Sequence, residues 1–110
     1  MKKVHTTNEE LVKAIDSYDF HEGREEGTLR IAFCCDFNTD SDFGFSLTLT
    51  CTTMINFKDV RKWVYMKPII EMPCNNDSEK ELFKTEVKKV TEYVRKNSRL
   101  GKYVVENLIP

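Results

Sequence analysis

The chain has 110 residues, of which 40% are hydrophobic and 32% are charged, and its formal net charge is −1. These values exclude a disordered chain and predict one globular domain over residues 1–110, long enough to bury a core without metal or disulfide support. The small net charge excludes a general electrostatic attraction to nucleic acid or to an anionic membrane.

The amino-terminal residues and the cysteines together predict a cytoplasmic protein. Residues 1–7 contain two lysines but lack the apolar stretch of a secretion signal, and the apolar runs elsewhere are too short to cross a bilayer. Because disulfides are rare in the cytosol, we expect Cys34, Cys35, Cys51 and Cys74 to be free thiols. No Cys-x-x-Cys pair is present, so the sequence predicts no bound metal and no other cofactor.

The first predicted element is a helix over residues 8–18, opened by a capping box. Thr7 and Glu10 have the spacing at which a threonine hydroxyl and a glutamate carboxylate each bond the other's backbone N–H. The acidic loop that follows, residues 19–27, surrounds His21. We interpret it as a solvated loop; the alternative, a metal or acid–base site at His21, lacks a second cluster of ligands.

The chain is organised around residues 43–57, where apolar side chains occupy every odd position except Thr53. This alternation predicts a strand with one buried face. At roughly 3.3 Å per residue the strand would reach about 50 Å, which exceeds what a small domain spans straight. We therefore expect a bend or bulge near residues 51–53.

A second strand, over residues 28–37, alternates in the same way and forms a hairpin with the central strand. Pairing Phe37 with Phe43 across the polar loop 38–42 puts every apolar side chain of both strands on one side of the sheet. The oxygen-bearing residues in and before this loop partly match a calcium-binding loop, but its glycine and its final glutamate are missing. We interpret the segment as a turn that caps its own backbone.

A third strand is predicted over about residues 63–72, after a short turn. A short helix over residues 57–64 is the alternative, because the apolar residues of this segment also fit helical spacing. Pro68 cannot donate a ladder hydrogen bond, so the strand should be an edge, or should end or bulge there.

The last predicted helix runs over residues 79–98 and is opened by a second capping box, Ser78 to Glu81. Gly101 is expected to end it, and the tail 102–110 fits either a short helix or an added strand. Together the elements predict an α+β fold. It has an N-terminal helix, a three-stranded, mainly antiparallel sheet, and a long C-terminal helix packed on the sheet.

One side of the last helix carries basic residues beside its apolar stripe, and we call them the basic row. At about 100° per residue, five bases fall on that side. Long basic stems often cover the rim of a core, and bases late in a helix suit its dipole. The row nevertheless predicts a surface for an acidic protein partner, with nucleic-acid phosphates as the alternative. Its members are Lys80, Lys84, Lys88, Arg95 and Arg99.

Even positions of the central strand form a second candidate surface, which we call the hydroxyl row. It is flat and uncharged, whereas a monomer normally places charges on an open sheet face to prevent association. We expect it to contact a protein partner or a second copy of the chain, unless the chain's own C-terminal segment covers it. Its members are Ser46, Thr48, Thr50 and Thr52.

These features predict a non-enzymatic protein that acts through protein–protein interaction, using the hydroxyl row, the basic row or both. By analogy with other small proteins that lack motifs, including those of phages and mobile elements, we expect an adaptor or inhibitor, with a homodimer as a further expectation. The alternatives are a nucleic-acid-associated protein that uses the basic row, and a small enzyme with a thiol or His21 at its site. The sequence contains no nucleophile motif, glycine-rich phosphate loop or recognisable family signature.

Overall fold

The described residues form two α-helices, one before and one after the long strands in the chain. The computed structural model describes residues 1–17, 29–55, 58–59 and 65–106. No helix in these ranges is long and apolar enough to span a membrane. The predicted α+β class is confirmed, with the helices in the predicted order. The elements are β1 (Lys3–Val4), α1 (Asn8–Ser17), β2 (Arg30–Ser41), β3 (Gly44–Ile55), β4 (Lys58–Asp59), β5 (Tyr65–Pro73), α2 (Asp77–Asn97) and a 3₁₀ turn (Gly101–Tyr103).

The antiparallel sheet has more strands than the sequence predicts. In the described ranges its order is β1-β5-β3-β2, and β4 pairs with the end of β3. β1 was missed, although Lys3 and Val4 lie opposite Glu71 and Ile70, because a two-residue strand shows no alternation. β4 also replaces part of the predicted turn. The helix alternative over residues 57–64 otherwise lies outside the described residues.

The register of β5 against β3 shifts around Pro68. Leu49 pairs with Ile70, but Cys51 pairs with Tyr65, so four residues of β5 lie opposite a single residue of β3. Pro68 lies in this irregular part, as its missing N–H requires. The bulge predicted at Pro68 is confirmed. The pairing of β3 with β2 shows no register shift between Ser46 and Met54, so the bulge expected in the central strand is not seen on that side. β5 is not an edge strand, because it pairs with β1 as well as with β3.

The hairpin of β2 and β3 keeps the predicted faces but not the predicted register. Phe37 lies opposite Leu47 rather than Phe43, because β2 continues through most of the predicted loop 38–42. Gly44 leaves the tight turn with φ of 82°, a conformation that favours glycine. The predicted loop is therefore wrong. The shift is an even number of residues, so the same side chains still face the core.

Both helices pack on the apolar face of the sheet. Leu11 and Ile15 of α1 have no exposed surface. Burial of one such side chain stabilises a fold by about 1.5–3 kcal/mol. The core residues of α2 and the long strands are Phe83, Val87, Val90, Val94, Ile31, Phe33, Leu47, Leu49, Cys51, Ile69, Ile70 and Met72.

The capping box of α1 is confirmed. The Thr7 N–H donates to Glu10 Oε1 at 3.1 Å, and the Glu10 N–H donates to Thr7 Oγ1 at 3.2 Å. The described part of the helix runs to Ser17. Tyr18, its predicted last residue, lies outside the described residues, as does the acidic loop around His21.

The capping box predicted for α2 is wrong, since the helix begins two residues earlier. Asn76 is the N-cap, and its Oδ1 accepts a hydrogen bond from the Glu79 N–H at 2.9 Å. The Glu79 carboxylate in turn accepts from the Asn75 N–H at 2.8 Å. Ser78 therefore lies inside the first turn of the helix and does not cap it.

After α2 the chain turns back onto β2. α2 ends at Asn97, and Gly101 begins the 3₁₀ turn. A Cβ at Gly101 would lie 2.1 Å from the Arg95 carbonyl oxygen, so only glycine fits there. Val104 then forms a parallel bridge with Ile31. The described part of the tail thus combines a helical turn with a strand-like contact.

We predict that Asn76→Ala lowers the free energy of unfolding by about 1 kcal/mol, the usual cost of losing an N-cap. Ser78→Ala is the matched control and should change it by less than about 0.5 kcal/mol. Urea denaturation followed by circular dichroism measures both values. A larger loss for Ser78→Ala than for Asn76→Ala would contradict the observed start of α2.

Candidate functional site

The basic row lies along one side of α2, beside the stripe that packs in the core. Because the valines of α2 pack in the core, the helical period places the row at the edge of the core. Lys80, Lys84, Lys88 and Arg99 are exposed, and Arg95 is half-buried. The predicted basic row therefore exists, but its members differ in what they contact.

A groove of about 450 Å³ runs along this side, and we call it the α2 groove. Its floor is formed by Val87 and Thr91, each 7% exposed. The Thr91 hydroxyl donates to the Val87 carbonyl at 2.8 Å, so Thr91 offers mainly apolar atoms to a ligand. The volume lies within the range of roughly 300–1,000 Å³ that is usual for ligand sites. The rim is charged and consists of Lys84, Lys88, Glu92, Arg95 and Glu106.

The positive charge of the α2 groove is concentrated at its Lys84 end. Arg95 pairs with Glu106 at 2.8 Å and also donates to a backbone carbonyl, so its charge is largely compensated. Lys84 contacts Glu81 at 3.3 Å, a pair in which both side chains are more than half exposed and which contributes little. Lys88 makes no ion pair with any residue in the described ranges. Lys84 and Lys88 are therefore the bases most able to meet a ligand.

Arg99 joins the ends of the two helices. Its guanidinium donates from Nη2 and Nε to the Asp16 carbonyl at 2.7 and 3.2 Å. The Asp16 carboxylate accepts from the Ser98 hydroxyl at 2.6 Å and from the Arg99 N–H at 3.2 Å. A cation beside the last carbonyls of α1 also suits the helix dipole. Arg99 thus belongs to the scaffold, and Lys80 lies near the start of α2, outside the α2 groove.

The hydroxyl row is only partly accessible. Ser46 and Thr52 are buried, at 0% and 4% exposure, whereas Thr48 and Thr50 are half-buried. The Thr48 hydroxyl accepts from Asn38 Nδ2 at 2.6 Å. The hydroxyl oxygens of Thr50 and Thr52 are buried and have no hydrogen-bond partner among the residues that the structure describes. Thr48 and Thr50 are therefore the members that a partner could contact.

A polar cluster that sequence reasoning missed lies beside this row. Glu71 accepts from the Ser46 hydroxyl at 2.9 Å and contacts His5 Nε2 at 3.4 Å. The carboxylate stands between the serine and the histidine, whereas in a catalytic triad the histidine stands between the other two. Ser46 is also fully buried. The cluster therefore connects β1, β3 and β5 and does not form a nucleophile–base pair.

The core-side thiols are suppressed as nucleophiles. Burial, with a smaller effect of Cys34, raises the pKa of Cys51 from an ordinary 9.0 to about 12. Burial, the charge of Asp36 and the Cys74 thiol raise the pKa of Cys35 to about 11, although Lys80 opposes the change. Both thiols stay protonated at neutral pH, and a thiol reacts as its thiolate.

The carboxylates near the hairpin end do not form a metal site. Asp40, Asp42 and Glu71 line an open hollow of about 570 Å³ together with Asn38 and Thr48. In the part of the chain that the structure describes, no three His, Cys, Asp or Glu side chains are arranged to hold a metal ion. The partial calcium-loop pattern corresponds to strand β2 and its turn.

Helical spacing in the sequence indicates only one side of the α2 groove. Lys84, Lys88, Thr91 and Arg95 recur every three or four residues, which is the signal behind the basic row. Glu106 reaches the groove through the turn after α2, a contact that local periodicity cannot predict. Val87 belongs to the core, yet its edge also forms the groove floor.

Comparison with known proteins assigns no family: no family model, curated protein or solved structure matches the chain. Inference about function therefore depends on the surfaces described above.

We predict that Arg99→Ala lowers the free energy of unfolding by about 1 kcal/mol, because the hydrogen bonds to the end of α1 are lost. Lys88→Ala, which removes an exposed base of the same row, should change it by less than about 0.5 kcal/mol. Thermal and urea unfolding of both variants would measure the difference. Equal losses would contradict the assignment of Arg99 to the scaffold.

We predict that iodoacetamide at near-neutral pH labels Cys51 only after unfolding and labels Cys35 more slowly in the native than in the denatured chain. Peptide mass spectrometry measures each site, with urea-denatured protein as the control. Since the folded pKa values are raised, the unfolded chain loses these protons first, so stability should fall as pH rises from about 9 towards about 12. Rapid native labelling of Cys51 would contradict its observed burial.

Proposed function

We propose that the chain is a non-enzymatic binding protein whose α2 groove holds an acidic segment of a protein partner. The observation that carries this proposal is the position of Lys88, exposed and without an ion pair in the described ranges, at the rim of an apolar floor. Lys84 lies one helical turn before it, and the two ammonium groups can meet neighbouring carboxylates.

The floor and the rim of the α2 groove suit different parts of such a segment. Val87 and Thr91 can accept an apolar side chain, since a binding site gains most where it buries apolar surface at its centre. Lys84 and Lys88 at the rim would attract carboxylates, speed association and set the orientation of the segment. A segment with alternating acidic and apolar residues combines both contacts.

Several observations favour a protein segment over nucleic acid. Glu92 and Glu106 stand on the same rim as the bases and would repel a continuous run of phosphates, whereas a protein segment can place its few carboxylates at Lys84 and Lys88 alone. Arg95 is already paired with Glu106. Few bases then remain for phosphate contacts, and the net charge of −1 adds no general attraction.

Binding is also favoured over catalysis. The thiols of Cys35 and Cys51 have raised pKa values, and His5 contacts a carboxylate rather than a nucleophile. His21 lies outside the described residues. The hydroxyl row, reduced to Thr48 and Thr50, is a second proposed contact surface. With these properties the protein would serve as a cytoplasmic adaptor or inhibitor.

A fluorescent peptide of alternating Glu and Leu tests the proposal by anisotropy titration. We predict binding that weakens at least about tenfold in Lys84→Glu/Lys88→Glu, a loss of about 1.4 kcal/mol. Lys96→Glu/Lys102→Glu changes two other exposed bases and produces the same net charge. It is the matched control and should bind within about twofold of the parent chain.

Three outcomes would contradict the proposal. The first is the absence of peptide binding. The second is equal weakening in the two charge-reversal variants, which would indicate a general charge effect. The third is salt-sensitive binding of a DNA or RNA oligonucleotide in place of the peptide, which would favour the nucleic-acid alternative. If Thr48→Lys/Thr50→Lys is the only variant that loses peptide binding, the contact surface is the hydroxyl row and not the α2 groove.

A further inference from the structure

The end of the β2–β3 hairpin carries two exposed aromatic rings. Phe37 is 58% exposed and Phe45 is 48% exposed. Their ring centroids are 5.7 Å apart, and the rings are stacked at an angle of 25°. Both belong to the apolar face of the sheet, but they lie beyond the part that the helices cover. We call this end of the hairpin, from Phe37 to Phe45, the hairpin tip.

The hairpin tip is acidic as well as aromatic. Asp40 and Asp42 are exposed and line the same open hollow as Phe37, whereas Asp36 is exposed on the opposite face of β2. The sequence contains no Lys or Arg between Arg30 and Lys58, so no base of the hairpin itself offsets these charges. A surface that would bind the tip must offer both apolar contact and positive charge.

The backbone of the hairpin tip is held in place. The Phe45 N–H donates to Asn75 Oδ1 at 3.3 Å, and the Phe45 carbonyl accepts from the Cys74 N–H at 2.8 Å. Asn75 Nδ2 also donates to the Phe43 carbonyl at 3.3 Å. Because its backbone is already fixed, the tip can present its rings with little loss of conformational entropy.

The α2 groove has the complementary properties. It joins an apolar floor to the positive charges of Lys84 and Lys88, while Arg95 and Glu106 largely compensate each other. Glu92 is the remaining acid of the rim and lies one helical turn after Lys88. Aromatic rings flanked by aspartates fit the Lys84 end of this groove in both polarity and charge.

The tip cannot reach the groove of its own chain. Asn75 holds it at the start of α2, whereas the groove runs from Lys84 to Arg95. At about 1.5 Å per residue these residues lie about 12 Å and about 28 Å along the helix from Asn76. A tip that fills the groove must therefore belong to another copy of the chain.

We infer that the hairpin tip of one copy docks in the α2 groove of a second copy, with Phe37 and Phe45 on the floor and Asp40 and Asp42 against Lys84 and Lys88. This contact is head-to-tail, so each added copy leaves one tip and one groove open. The inference rests on the groove of the proposed function, since the tip would compete with an acidic partner for the same bases.

Sedimentation velocity of the full chain at increasing concentration tests the inference. The parent chain should associate. Association should be at least about tenfold weaker in a tip variant, Phe37→Ser/Phe45→Ser, and in a groove variant, Lys84→Glu/Lys88→Glu. Each variant keeps one intact surface. An equimolar mixture of the two should therefore recover a dimer that cannot extend.

Matched controls separate this contact from general effects. Leu82→Ser removes a 58% exposed apolar side chain of α2 outside the groove, and Lys96→Glu/Lys102→Glu repeats the charge change elsewhere. Both should associate like the parent chain. Circular dichroism spectra that match the parent chain would establish that the tip and groove variants are folded.

Three results would overturn the inference: a parent chain that stays monomeric, association that survives in either the tip or the groove variant, and a mixture that recovers no dimer. The proposed function can fail separately. If the acidic peptide does not bind while the chain still associates with itself, only the proposed function is contradicted. If the peptide binds to a chain that stays strictly monomeric, only the tip contact is contradicted.

Discussion

The structure depends on the alternation of apolar and polar side chains along β3. Because successive side chains of a strand point to opposite faces, the alternation creates one face that must be covered. α2 covers it with a stripe that includes Val87, Val90 and Val94. That contact fixes the rotation of α2 about its own axis. The rotation in turn places Lys84 and Lys88 at the edge of the core, where they form the rim of the α2 groove.

Local periodicity predicts which side chains share a face, but it does not predict register or caps. The strand and helix periods placed β2, β3 and α2 close to their observed positions. They could not show that Phe37 lies opposite Leu47, because that choice depends on the turn between the strands. Asn76 and Ser78 are both good cap residues. Asn76 caps the helix next to Asn75, whose side chain bonds the hairpin end, a contact between residues far apart in sequence.

The same distinction applies to the candidate site. Helical spacing predicted the basic row, yet contacts that are distant in sequence decide what each base does. Arg95 is held by Glu106 and Arg99 by Asp16, so both contribute to the scaffold. Lys84 and Lys88 remain for a partner. On the sheet, the hydroxyl row could be predicted from the sequence, but the burial of half its members could be known only from the fold.

We propose that an acidic partner binds in the α2 groove. The most direct test is to titrate the Glu–Leu peptide into isotopically labelled protein and follow backbone amide shifts by NMR. The largest shifts should fall between Lys84 and Arg95 and at Glu106. Shifts centred on Thr48 and Thr50, or spread evenly over the exposed lysines, would contradict it.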